Sequence, residues 1–465
     1  MTVPPRPEKS VRARSVEMSP EERRDPDFMP ALSLAVPLGI QHVIAMFIGN
    51  VTPAIIVAGA AGFGYGSADL TELIYLIQMS MLFAGLTTLF QTIGMGPSGA
   101  RLPIVQGTSF AFLPIMIPIV AGTGTAGMAA LTTGALFGGL FHACLAPFIG
   151  RLKIALPPLV TGLVVCLIGL SLVKVGIQYA AGGVPAQGTP AYGSWQSWLL
   201  AGSVLVTTLG FKFFGKGLVA SASILLGLLV GYVLAIPFGV ISLTSVMEAD
   251  WVMLPDPFRY GFALSAPAIT GFCFMALVSA IETVGDVSGI AQSGAGRDAT
   301  DRELTGATWA DGLGTALAAI FGGLPNTSFS QNVGLIAMTG IMSRHVVTCG
   351  ALFLILCGLV PKIGALITTL PIQVLGGGVI IMFGIVVSAA LAILADVNWT
   401  QRNMLIFAVS LSLGFGLQLE PEALQHLPEM PKILLSSGLL PATFLAVVLN
   451  LIVPETTEDQ MSDVS

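Results

Sequence analysis

Glu282 and Asp286 stand four residues apart, and no charged residue occurs between Gly261 and Ile281. Four residues is one helical turn, so the two carboxyl groups share a face. Two such groups in an apolar setting cannot both ionise cheaply, so one is expected to hold a proton. A third buried carboxyl, Asp311, a His42 that follows Gln41, and the adjacent amides Gln331-Asn332 complete the set of polar residues in otherwise apolar runs. Carboxylates, an imidazole and carboxamides bind and relay protons, and they pair with donors and acceptors on a planar ligand. An ionisable side chain at membrane depth is costly, which favours a functional reading for Glu282. For Asp286, Asp311 and His42, capping or tying neighbouring broken helices is an equally good reading.

The elements that must position these residues follow from composition. The chain is 54% hydrophobic and 9% charged, against about 25% charge in a soluble domain. Runs of about 20 apolar residues recur from residue 30 to residue 453, the length that spans a bilayer as a helix. The chain therefore reads as an all-α polytopic membrane protein. Fourteen spans are expected near 34–49, 70–93, 104–120, 126–149, 157–176, 196–214, 217–240, 264–289, 306–323, 329–340, 343–361, 371–394, 402–418 and 434–453. A cytosolic N-terminus puts 15 of the 19 Lys and Arg residues on the inner side, as the positive-inside rule requires. Residues 1–29 and 454–465 then read as cytosolic tails, the first of them disordered. The short tails suggest a bacterial inner (plasma) membrane. The five cysteines, Cys144, Cys166, Cys273, Cys349 and Cys357, lack metal-ligand spacing and read as small buried thiols.

The third and tenth spans are short and polar. Thr108-Ser109-Phe110 in the third recurs as Thr327-Ser328-Phe329 in the tenth. A longer pattern from Leu145 to Pro157 recurs in register from Leu359 to Pro371. The repeat unit holds seven spans, an odd number, so the second copy enters the membrane inverted. Each break is expected to hold a short extended piece followed by a half-helix, with the two extended pieces paired antiparallel. The half-helix N-termini would aim free N–H groups at a common cavity, with Ser109 and Asn332 as caps. His42 in the first span and Glu282 in the eighth are repeat counterparts and are expected to face each other there. Ser, Thr and Gly also pack transmembrane helices closely without further purpose.

Gln331-Asn332-x-Gly334-x4-Thr339-Gly340 resembles the signature of the nucleobase–ascorbate transporter family. Gln41-His42, Glu282-Thr283-x-Gly285-Asp286 and Asp311-Gly312-Leu313 match it in the expected spans. The resemblance implies a core domain at 30–150 and 262–364 and a gate domain at 151–245 and 365–453, in a homodimer. It implies a proton-coupled symporter for xanthine or uric acid, with no cofactor beyond the proton, no metal and no nucleic acid. Glu282 would accept from the N–H edge of the base, Gln331 would pair with a second edge, and Phe110 would stack on the ring. Backbone groups near Ser109, Phe110 and Ser330 would complete the site, with His42, Asp286, Asp311 and Asn332 in proton coupling or support. A uracil permease of the same family is the nearest alternative. An anion exchanger is the alternative from another class, and a fixed carboxylate at Glu282 opposes it. A membrane enzyme finds no nucleophile–base set or phosphate loop.

Overall fold

The computed structural model describes residues 19–65, 67, 70–150 and 157–454. Most of both proposed tails, and the loop holding Arg151 and Lys153, lie outside the described residues.

The chain is a helical assembly with one small sheet. Its first half holds α1 (Leu32–Ala61), α2 (Thr71–Ile93), β1 (Gln106–Thr108), α3 (Leu113–Val120), α4 (Gly124–Leu145), α5 (Pro158–Ala180), α6 (Trp195–Phe214) and α7 (Ser223–Ala235). The second half holds α8 (Ala266–Ile290), α9 (Asp301–Ile320), β2 (Asn326–Ser328), α10 (Ser330–Thr339), α11 (Arg344–Gly358), α12 (Pro361–Thr368), α13 (Ile372–Ala395), α14 (Gln401–Leu419), α15 (Glu429–Ser436) and α16 (Leu439–Ile452). Among the described residues, eight helices are long and apolar enough to cross a membrane, or ten if α11–α12 and α15–α16 each count as one bent span.

Two packing groups emerge. The first sets α1 and α2 against α11, and α4 against α8 and α9. The second sets α5 against α13, α6 against α7 and α13, and α14 against α16. Glycines let these helices touch backbone to backbone. A Cβ on Gly312 of α9 would fall 2.3 Å from the Ala143 nitrogen of α4, so the side chain must be absent.

Several expectations need correction. The first span does not stop at residue 49 but runs 30 residues. Pro53 lacks the N–H that would serve the Gly49 carbonyl, yet the helix continues through it; Thr52 adds a hydroxyl hydrogen bond to the Ile48 carbonyl at 2.7 Å. The last span is bent, with α15 and α16 as its two arms. Gly438, at φ +67°, turns the chain by 82° between α15 and α16. Residues 19–28 are not disordered. Pro20–Arg24 is a helix with a Ser19–Glu22 capping box, and the segment is tied to the loop after α10. Met342 and Arg344 donate backbone N–H groups to the Arg23 and Pro26 carbonyls, and Arg344 Nε reaches Asp27 Oδ1 at 2.6 Å. Cys144 is exposed rather than buried.

The long connection between α7 and α8 is pinned at its end. Arg259 makes a 2.6 Å ion pair with Glu72 of α2 and lies 4.2 Å over the Tyr75 ring. The Glu72 hydrogen bond pushes the Arg259 guanidinium further above its usual range. Tyr260 donates to the same carboxylate at 2.7 Å.

Candidate functional site

The site grows from the sheet. β1 and β2 pair antiparallel, with Gln106 opposite Ser328, Gly107 opposite Thr327 and Thr108 opposite Asn326. All six residues are buried. Three-residue strands leave edge groups to satisfy, and buried amides do it. Asn50 of α1 accepts from the Thr108 N–H at 2.8 Å and donates to the Ser80 carbonyl of α2 at 3.1 Å. Thr88 accepts from the Gln106 N–H at 2.9 Å. Thr315 of α9 serves the Asn326 N–H at 3.0 Å and the Asn326 carbonyl at 3.2 Å. None of these helpers stood out in the sequence. Their only signal was a polar residue in an apolar run, shared with many helix-packing positions.

The carboxylates divide sharply. Asp311 is fully buried and accepts from Gln91 Nε2 at 2.8 Å, Gln106 Nε2 at 2.6 Å and the Thr283 hydroxyl. It ties α2, β1 and α8 to α9. Asp286 accepts from Ser328 at 2.6 Å and Ser330 at 2.8 Å, fixing β2 and the first turn of α10 to α8. Glu282, one turn before Asp286 and within electrostatic reach of both aspartates, is only half buried. It is given no hydrogen-bond partner among the described residues.

The half-helix α10 begins beside these groups. Its first turn has no side-chain cap, so its leading N–H groups lack helical partners. Ser330, Gln331, Gly334, Ala337 and Met338 form its exposed face. Asn332 faces the other way and does not cap the helix. Its amide donates to the Pro103 carbonyl. Helix α10 packs against both α1 and α8. His42 of α1 meets Asn332. Neither His42 Nδ1 nor Asn332 Oδ1 reaches a partner with good hydrogen-bond geometry.

Ser109 does not cap α3 either. Its N–H donates to the Pro325 carbonyl at 2.8 Å and its hydroxyl accepts from Ala111 N–H at 3.3 Å. The Ser109 N–H is thus already occupied. Phe110 is half buried and meets Phe383 of α13 edge-on, with centroids 5.6 Å apart. An aromatic edge contact joins the two packing groups here.

The arrangement presents one free carboxylate, one exposed carboxamide, uncapped helix N–H groups and an aromatic ring. Such a set offers hydrogen-bond donors and acceptors beside a ring face. Residues 34–423 match the Permease family (Xan_ur_permease). The chain belongs to this family, the nucleobase–ascorbate transporters, and is a membrane transporter rather than an enzyme. It is 38% identical to a Clostridium perfringens protein with a provisional purine-permease name, over 90% of each chain. It is 34% identical to xanthine permease XanQ of Escherichia coli, over 91% of this chain and 92% of that one. Identity to uric acid transporter UacT of Escherichia coli is 33%, over 89% and 84%. Among solved structures, the transmembrane domain of the cyanobacterial bicarbonate transporter BicA superposes with a TM-score of 0.55 at 15% identity, over 90% of this chain and 98% of that one. That likeness concerns the fold alone.

Proposed function

We propose that the chain is a proton-coupled symporter that imports xanthine or uric acid by alternating access. The observation that carries the reading is the contrast among the carboxylates. Asp286 and Asp311 are held by protein donors, whereas Glu282, partly buried beside them, makes no hydrogen bond among the described residues. A carboxylate held in place yet unpaired suits a ligand that brings its own N–H groups. Gln331, one residue beyond the Ser330 that Asp286 holds, supplies the amide for a second edge. Phe110 supplies a ring to stack on. Asp286, Asp311, His42 and Asn332 support the site, and a proton shared between Glu282 and Asp286 is the coupling device.

In this reading the ten long or bent spans are joined by α7, α9 and the two strand-plus-half-helix segments, giving fourteen spans in two inverted repeats. The core is 30–150 with 262–364, and the gate is 151–245 with 365–453. The chain works as a homodimer in the inner membrane with both termini cytoplasmic. An anion carrier on the same fold is disfavoured, because a fixed carboxylate in the site repels an inorganic anion that brings no N–H donor to it.

Uptake of labelled xanthine, urate, uracil and adenine in cells without carriers for them tests this. Xanthine or urate is expected to accumulate, and a proton uncoupler is expected to abolish accumulation. Uracil uptake alone would assign the chain to another branch of the family. Accumulation insensitive to the uncoupler would remove proton coupling.

A further inference from the structure

A cavity of about 450 Å³ opens where α1, α3 and α5 all end and α13 begins. Its walls include Ile56 and Gly59 of α1, Tyr65, Ile117 of α3, and Gln178 and Tyr179 of α5. The volume falls in the range of about 300–1,000 Å³ typical of small-molecule sites. The cavity is not the Glu282 site. Ile115 of α3 packs against Gly271 of α8, and Glu282 lies eleven residues further along α8. At 1.5 Å per residue that is about 16 Å. The Phe110–Phe383 contact is not part of its wall: Phe110 stands seven residues before Ile117, and Phe383 stands eleven residues beyond Ile372, another wall residue.

The chemistry of the walls is specific. No charged side chain among the described residues lines the cavity. Two phenol rings offer flat apolar faces, and Gln178 offers both a donor and an acceptor. The Tyr65 hydroxyl is buried and has no hydrogen-bond partner among the described residues. A buried polar atom without a partner costs free energy that a ligand or a water molecule recovers. Tyr65 also lies within electrostatic reach of Tyr179, so the two rings border one space.

We propose that this cavity is a second binding site, a vestibule that holds one planar heteroaromatic base against Tyr65, Tyr179 and Gln178. The inference rests on the nucleobase reading of the Glu282 site and adds a second site to it.

Equilibrium binding of labelled xanthine and labelled urate to the purified full chain separates the possibilities. The native chain is expected to bind two molecules of base per chain. Glu282→Gln is expected to keep one. Adding Tyr65→Phe to Glu282→Gln weakens that remaining site by roughly threefold to tenfold, the worth of one neutral hydrogen bond. Tyr65→Phe removes an unpaired hydroxyl and leaves the ring, so the fold is retained. One molecule on the native chain and none on Glu282→Gln overturns the vestibule, which then holds water only. An unchanged affinity on adding Tyr65→Phe also overturns it, because the remaining site lies elsewhere. If the native chain binds neither base, the nucleobase reading itself fails and the vestibule with it.

Discussion

Glu282→Gln is expected to abolish uptake, reducing the initial rate by at least about a hundredfold while the amount of protein in the membrane stays native. The amide keeps the volume and one acceptor oxygen, but it loses the charge and turns the second oxygen into a donor that faces a base N–H. Sites built to hydrogen-bond a ligand lose about 10⁴-fold or more when a buried polar group is left unpaired. The fold is spared because Glu282 makes no hydrogen bond among the described residues. Substitutions away from such networks usually change stability by about 0.5 kcal/mol or less. Initial-rate uptake set against immunodetected membrane content measures both halves. Near-native uptake would take Glu282 out of the site.

Asp311→Ala is expected to fail the opposite way. It strands Gln91 Nε2, Gln106 Nε2 and the Thr283 hydroxyl in a fully buried place. Each orphaned donor costs about 1–3 kcal/mol, and breaking a buried charged network costs about 3–5 kcal/mol. The variant should be scarce in the membrane and melt early in detergent. Asp311→Asn keeps an acceptor oxygen and should recover part of the loss. A native melting profile for Asp311→Ala would contradict the network. Two carboxylates of similar appearance in the sequence thus separate by assay: one loses transport without stability, the other loses stability first.

Parts of this were legible in the sequence because they violate the apolar pattern. Glu282, Asp286 and Asp311 are ionisable groups in charge-free runs, and Gln331-Asn332 is an amide pair beside a proline break. The two Thr-Ser-Phe triplets also marked the unusual backbone. Their register was not readable. Gly107, not Thr108, faces Thr327, since pairing is fixed by the contacts of Asn50, Thr88 and Thr315, and these have no spacing signature. Helix ends were lost for a related reason. The first span reads as ending at residue 49, yet α1 runs through Pro53 to Ala61. Asn332 looks like a cap, but its amide is drawn away by Pro103, over two hundred residues earlier. Residues 19–28 read as a polar tail because backbone carbonyls docked on Met342 and Arg344 leave no trace in side-chain type.

Competition by N-methylated xanthines for labelled xanthine or urate uptake tests most directly whether Glu282 and Gln331 read the polar edges of a base. A methyl group replaces an N–H donor and leaves the ring plane intact. At least one singly methylated xanthine is predicted to lose competition by about a hundredfold or more relative to xanthine, with the others retaining more. Equal competition by xanthine and every methylated form would contradict edge reading, and with it the role assigned to the unpaired carboxylate.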